Sequence, residues 1–191
     1  MKINKWIFSF AVAFCAFLMP STAYAKEEYI NTDTLMEYTK EIGEIYDIDP
    51  YLLYAMCETE SSRNIYAENG SCKGLMQVST LWHADRMEKL NVENIYDPYG
   101  NILVAADFLS ELYKLNSDTY YVLMRYNMKT STANELYEKG EISYYAKSIV
   151  RRAEELKEMD NTEEKLVALN EQKLSEVKEC IFPKGGVSAW L

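Results

Sequence analysis

The sequence is poor in the residues that build metal centres. Its 191 residues contain one histidine, His83, and four cysteines. No spacing among these residues resembles a zinc site. Beyond the N-terminal region the cysteines are Cys57, Cys72 and Cys180, and this odd number leaves at least one thiol without a partner in the chain. We therefore expect neither a metal nor a cofactor.

Positive charge is also scarce. Lysine and arginine total 20 residues against 30 aspartates and glutamates, which gives a formal net charge of −10. A nucleic-acid partner would favour a basic face, so the composition argues against one. It also argues against long-range attraction to an anionic cell surface. Any polymer of such a surface must be held by local contacts.

Long hydrophobic runs are missing except at the N-terminus. Lys2 and Lys5 precede an uncharged, mostly apolar run over residues 6–19, Pro20 follows it, and an Ala-x-Ala site ends at Ala25. The run is short for a membrane span, which needs about 20 apolar residues. This pattern predicts a signal peptide over residues 1–25, cleaved after Ala25, and a secreted, extracytoplasmic protein.

Alternating strand patterns of useful length and internal repeats are absent, and helical periodicity runs through almost the whole chain. Pro50 and Pro98 each follow an aspartate, which is a helix-start signal. We expect an all-α fold, with one domain over residues 26–160 and a C-terminal helix and tail over 161–191. A separate amphipathic helix is predicted over 162–179. It either packs on the core, which we favour, or binds a partner.

Two glutamates lie in the stretch AMCETESSRN, residues 55–64. With Asp49 as the helix cap, Glu60 falls on the same face as Met56 and Cys57, whereas Glu58 points about 200° away from it. Partial burial on an apolar face raises a carboxyl pKa, as a general acid requires. The alternative is that Glu60 lies at the helix end and points to water, and this stretch alone does not exclude it.

Further short segments follow Glu60 in a characteristic order. They are Glu60-Ser61, Gly74-Leu75-Met76-Gln77, Asp97-Pro98 with Asn101-Ile102, Tyr126-Asn127, and Tyr145-Ala146. Together they resemble the soluble, SLT-type lytic transglycosylases, which have a lysozyme-like helical fold. The resemblance covers roughly residues 35–155 and excludes the leader and the C-terminal helix.

The resemblance implies a function and a site. Members of the family cleave the β-1,4 bond between N-acetylmuramic acid and N-acetylglucosamine in peptidoglycan, and leave 1,6-anhydromuramic ends. By position Glu60 would be the single acid and then the base. Gln77 and Met76 would line the cleft beside it, Tyr145 would hydrogen-bond and orient it, and Asn127 would support the sugar site.

Partners follow from the same resemblance. Peptidoglycan glycan strands are the implied substrate, and a secretion or conjugation machine is a partner suggested by analogy alone. Neither the residues nor the resemblance addresses the oligomeric state.

Two of the departures from the family pattern concern the site. Lys129 stands where a glycine is frequent, and Asn69 falls about where a substrate-binding serine is common. They are the only features favouring a non-catalytic wall-binding or assembly protein. A hydrolytic muramidase is the other alternative, but no residue is identified that would hold its water.

The cysteines on either side of Glu60 raise a separate question. A disulfide between Cys57 and Cys72 would tie the glutamate helix to the loop before Gly74. Alternatively both are small side chains that pack as hydrophobes. The sequence leaves both alternatives open.

Overall fold

The computed structural model describes residues 28–181, with side chains up to residue 178. The predicted leader and the side chain of Cys180 lie outside this part. The described residues form helices α1 (Thr32–Tyr46), α2 (Pro50–Ser61), α3 (Ala84–Lys89), α4 (Pro98–Leu115), α5 (Thr119–Asn127), α6 (Thr130–Glu138) and α7 (Tyr144–Ile181). The predicted all-α, lysozyme-like class is confirmed.

Side-chain caps begin the two helices that position the site. Asp49 accepts a hydrogen bond from the Tyr51 amide at 2.9 Å and starts α2. Asp97 accepts one from the Gly100 amide at 2.7 Å and starts α4. Each cap satisfies a backbone donor that the first helical turn leaves free. Both Asp-Pro start signals are thereby confirmed.

A small antiparallel sheet lies between α2 and α3. Its strands are β1 (Glu68–Asn69), β2 (Cys72–Lys73) and β3 (Val78–Ser79), in the order β1-β2-β3. Gly70, at φ +60°, makes the turn between β1 and β2. The sequence analysis predicted no strand here because strands of two residues are too short to produce an alternating pattern.

Helix α2 is the centre of the core. It packs against α1 on one side and α7 on the other. Its residues 52–57 are all buried, as expected of a helix that is apolar on every side. Within residues 28–181, no helix is both long and apolar enough to cross a membrane.

Helix α7 differs from the prediction of a separate C-terminal helix. It is continuous from Tyr144 to Ile181, a stretch that contains no proline or glycine, and the Thr162 hydroxyl donates to the Glu158 carbonyl within it. The prediction of a separate helix over 162–179 is therefore wrong. The prediction that this segment packs on the core is also wrong, because every side chain described from 161 to 178 is exposed.

The body of the domain holds α7 as far as Asp160. This carboxylate accepts a hydrogen bond from Tyr51 and forms an ion pair with Lys40 at 3.4 Å. Asp160 is the last side chain of α7 that is half-buried, although residues 157–159 before it are already exposed. The helix continues through the predicted boundary between residues 160 and 161, which stays a prediction.

Candidate active site

Glu60 lies in the last turn of α2. The helix ends where Ser62 adopts a left-handed conformation at φ 53°. The Glu60 side chain is half-buried at this end of the apolar helix. Burial raises the pKa of its carboxyl above the usual range, and a hydrogen bond from Tyr145 opposes part of that rise. The predicted partial desolvation of Glu60 is confirmed.

Tyr145 approaches Glu60 from the start of α7. Its hydroxyl donates a hydrogen bond to Oε1 of Glu60, as predicted from the resemblance. The Ser143 hydroxyl accepts from the Ala146 amide at 3.2 Å and fixes this first turn. Burial, together with the nearby negative charge of Glu60, raises the pKa of Tyr145, so the phenol remains a protonated donor.

The segment from Gly74 to Gln77 has two left-handed residues. Gly74 has φ +74°, and a Cβ there would lie 2.4 Å from Nδ2 of Asn101. Gln77 has φ 47°, which is uncommon for a residue other than glycine. Its side-chain amide donates to the carbonyls of Ala67 and Gly74 at 3.2 and 3.0 Å. Gln77 is thus part of the loop's own hydrogen bonding, and its contact with substrate stays a prediction.

Asn101 fixes this segment from α4. Its Oδ1 accepts from the Met76 amide at 2.7 Å, and its Nδ2 donates to the carbonyls of Lys73 and Ile95, both at 2.9 Å. The side chain is fully buried. In the sequence, Asn101 was noted only as part of the Asn101-Ile102 segment, and no role was predicted for it. An amide placed on an otherwise apolar helix face is the signal that could have indicated its role.

Tyr126 supports the same segment from α5. Its hydroxyl donates to the Met76 carbonyl at 2.7 Å. Burial, and next the negative charge of Glu60, raise the pKa of Tyr126, so its phenol remains a protonated donor. In the Tyr126-Asn127 motif, sequence reasoning assigned a role to Asn127 only, so the contribution of Tyr126 was missed.

Met76 does not line a cleft. Its side chain has no exposed surface, and its sulfur lies 3.2 Å from Sγ of Cys57. The side chain thus lies in the core rather than in a cleft, while its backbone bonds to Asn101 and Tyr126, and a contact of Met76 with substrate stays a prediction. Met76 instead packs beneath the end of α2.

Three other positions singled out from the sequence lie at the surface. Asn127 is exposed at the end of α5, Lys129 is exposed at the start of α6, and Asn69 is exposed in β1. Among the described residues, no hydrogen bond joins Asn127 to Glu60. The role of Asn127 at the sugar site stays a prediction.

Glu58 has a different role from the one expected. Helical phase placed it about 200° away from Glu60 with no partner assigned, but Glu58 accepts from Nε and Nη2 of Arg152 at 2.7 and 3.2 Å. This paired contact joins α2 to α7 on the side away from Tyr145. The two glutamates of the stretch therefore have separate partners on the same helix.

Both cysteines beside the site are free thiols in the structure. Cys57 is fully buried, and burial raises the pKa of its thiol, whereas Cys72 is half-buried in β2. This corresponds to the alternative of two small packing side chains rather than a bridge. Among residues 28–178, no group of histidine, cysteine, aspartate or glutamate is arranged to hold a metal ion.

The structure thus combines a helical domain with a half-buried glutamate, Glu60, that Tyr145 holds beside an ordered loop. The sequence profile described as "Transglycosylase SLT domain" matches residues 37–144. This chain belongs to that family, and it is a lytic transglycosylase.

Individual relatives agree with this assignment. "Invasion protein IagB" of Salmonella typhi is 31% identical over 127 residues, which cover 62% of this chain and 76% of that protein. Its counterpart in Salmonella typhimurium strain SL1344 is 30% identical over the same length. The "Transglycosylase" of Enterobacteria phage PRD1 is 34% identical over 90 residues, 47% of this chain and 32% of the phage protein.

Proposed function

We propose that the protein is an extracytoplasmic enzyme that cleaves the β-1,4 bond between N-acetylmuramic acid and N-acetylglucosamine in peptidoglycan. The proposed product carries a 1,6-anhydromuramic end. The observation that carries this proposal is the state of Glu60, a half-buried carboxyl with a raised pKa that Tyr145 holds in one orientation. Such a group is protonated over a wider pH range than an exposed glutamate and can act as an acid.

In the first step Glu60 donates its proton to the glycosidic oxygen. The bond from this oxygen to the anomeric carbon breaks, and the N-acetylglucosamine portion leaves with a hydroxyl group. The N-acetyl carbonyl of the muramic sugar stabilises the electron-poor anomeric carbon. A second carboxylate, which ordinary glycosidases require, is not needed.

In the second step the ionised Glu60 acts as a base. It takes the proton of the 6-hydroxyl while that oxygen bonds to the anomeric carbon of the same sugar. Glu60 returns to its protonated form and no water is consumed. An attacking group within the same molecule has a high effective concentration, so the enzyme does not need to position a water.

The proposed location rests on the substrate and on the predicted leader over residues 1–25. The Salmonella relatives are named for invasion, and we propose a secretion or conjugation machine as a partner by family analogy. For this chain, such a partner is part of the proposal.

Product analysis tests the proposed chemistry. Purified peptidoglycan is digested with the enzyme, and the fragments are separated and weighed by mass spectrometry. We expect 1,6-anhydro ends, which lack the mass of one water compared with hydrolysis products. Reducing ends alone would identify a hydrolytic muramidase and contradict the proposal.

Glu58, two residues before Glu60, provides a matched control for the assignment of Glu60 as the acid. Glu60→Gln should lower the rate by about 10²–10⁴-fold, because the amide cannot transfer the proton. Glu58→Gln changes the same chemical group in the same helix and should stay within a few-fold of wild type. Undiminished activity in Glu60→Gln would show that another group is the acid.

A further inference from the structure

Trp82 is the most exposed large apolar side chain among the residues whose side chains the structure describes. It is 85% exposed, and its neighbour Leu81 is 78% exposed. These two consecutive exposed residues are here called the Leu81–Trp82 platform. Single exposed apolar residues are ordinary, but a neighbouring pair that includes a tryptophan is typical of a binding surface.

The backbone beneath the platform is ordered. The amides of Trp82 and His83 both donate to the Ser79 carbonyl, at 3.2 and 3.0 Å. The Thr80 amide donates to the Ser71 carbonyl at 3.0 Å, which joins the turn to the sheet. The exposure of Trp82 is therefore a property of a fixed turn.

His83 anchors the platform from inside. Its ring packs on Phe108 with centroids 4.7 Å apart, and Phe108 contacts Tyr126 at 5.7 Å. Tyr126 in turn donates to the Met76 carbonyl. A continuous row of rings thus connects the turn that carries Trp82 to the loop beside Glu60.

The platform also lies close to the Gly74–Gln77 loop along the chain. Residues 79–82 form a turn whose ends are less than about 7 Å apart. Gln77 to Ser79 adds at most about 7 Å, the length of two extended residues. The Cα atoms of Gln77 and Trp82 are therefore within about 14 Å of each other, which places the platform next to the Gly74–Gln77 loop.

We propose that the Leu81–Trp82 platform is a glycan-binding subsite of this enzyme, where the indole of Trp82 stacks on a sugar ring remote from the cleaved bond. The inference rests on the proposed function, because its occupant is the same glycan strand. An indole offers a flat apolar face for the C–H side of a sugar and an N–H for a hydroxyl. With a net charge of −10, the protein depends on such local contacts to hold a wall polymer.

The test compares Trp82→Ala, Trp82→Phe and the control Leu115→Ala. Leu115 is 70% exposed, and it lies about 21 Å along α4 from Asn101, far from the loop. With solubilised glycan strands, we expect Trp82→Ala to raise KM about tenfold and to change kcat less than twofold. Trp82→Phe, which keeps an aromatic face, and Leu115→Ala should each stay within about twofold of the wild-type KM.

A binding assay separates this inference from the proposed chemistry. The same substitutions are placed in the Glu60→Gln protein, and sedimentation with insoluble purified peptidoglycan is measured. We expect Trp82→Ala to weaken retention about tenfold. If the wild-type enzyme forms no anhydro product, the proposed function fails, and this retention still decides whether Trp82 binds glycan.

Three results would overturn the subsite. One is a Trp82→Ala protein with unchanged KM and unchanged retention. Another is a Trp82→Phe protein as impaired as Trp82→Ala, because the aromatic face would then not matter. The third is unchanged wall retention with loss of binding to phospholipid vesicles, which would assign the platform to a lipid surface.

Discussion

The Tyr145 hydroxyl donates a hydrogen bond to Oε1 of Glu60, although 85 positions separate the two residues in the chain. Burial and this bond act on the carboxyl in opposite directions. Burial disfavours the ionised form and raises the pKa of Glu60, whereas the hydrogen bond stabilises the ionised form and lowers that pKa. The orientation of the acid and its strength thus depend on the same contact.

Replacing Tyr145 with phenylalanine removes the hydrogen bond that lowers the pKa of Glu60. The pKa of Glu60 should rise, so the acid remains protonated to higher pH and the alkaline limb of the pH–rate profile should move upward. We also expect kcat to fall about tenfold, because the carboxyl loses its orienting partner. The measurement is kcat/KM across the pH range. Tyr144→Phe, a change at the exposed neighbouring residue, is the control. An unchanged alkaline limb in Tyr145→Phe would show that the bond does not tune the acid.

The raised pKa of Glu60 also predicts how stability depends on pH. The folded state binds the Glu60 proton more tightly than the unfolded chain does, so this group contributes its full stability below the unfolded pKa of about 4.3. The contribution is lost as pH rises through the folded pKa. Glu60→Gln does not titrate, so its Tm should match wild type near pH 4 and exceed it near pH 8.

The control for this measurement is Glu138→Gln, an exposed glutamate at the end of α6. It should leave Tm within about 1 °C of wild type at both pH values. A Glu60→Gln protein that is less stable than wild type at pH 8 would mean that ionised Glu60 stabilises the fold. The desolvated-acid interpretation would then be wrong.

Asn101 should be the largest polar contributor to the order of the loop. Asn101→Ala removes three hydrogen bonds and leaves the Met76 amide and two carbonyls without their partner. We expect a loss of about 2–4 kcal/mol in the free energy of unfolding, measured by urea denaturation. Asn127→Ala, at an exposed position, should change it by less than about 0.5 kcal/mol. A similarly small loss for Asn101→Ala would mean that water replaces its bonds.

The two halves of α7 should differ in their sensitivity to substitution. Ile149 has no exposed surface, so Ile149→Ala should cost about 2–5 kcal/mol in the free energy of unfolding. Leu166, on the same helix, is 57% exposed, and Leu166→Ala should cost less than about 0.5 kcal/mol. A large cost at Leu166 would show that the far half of α7 is covered in the folded protein.

Local signals determined much of the secondary structure. The Asp49-Pro50 and Asp97-Pro98 pairs begin α2 and α4 because cap and proline chemistry act within one turn. Helical phase placed Glu60 on the face of Met56 and Cys57, but by itself it did not exclude a side chain that points to water. The prediction of a break near residue 160 was wrong, because polar residues suited to capping are also tolerated within a helix when no proline or glycine interrupts it.

Contacts between distant segments were decided only by the tertiary structure. Arg152 pairs with Glu58 across 94 positions, and Asn101 binds the Met76 amide across 25. Sequence order indicated that these segments belong to one site, but not which atoms meet. The inward direction of Met76 likewise depends on bonds from α4 and α5 to its backbone. Periodicity describes one element at a time, whereas the state of Glu60 depends on where α7 packs against α2.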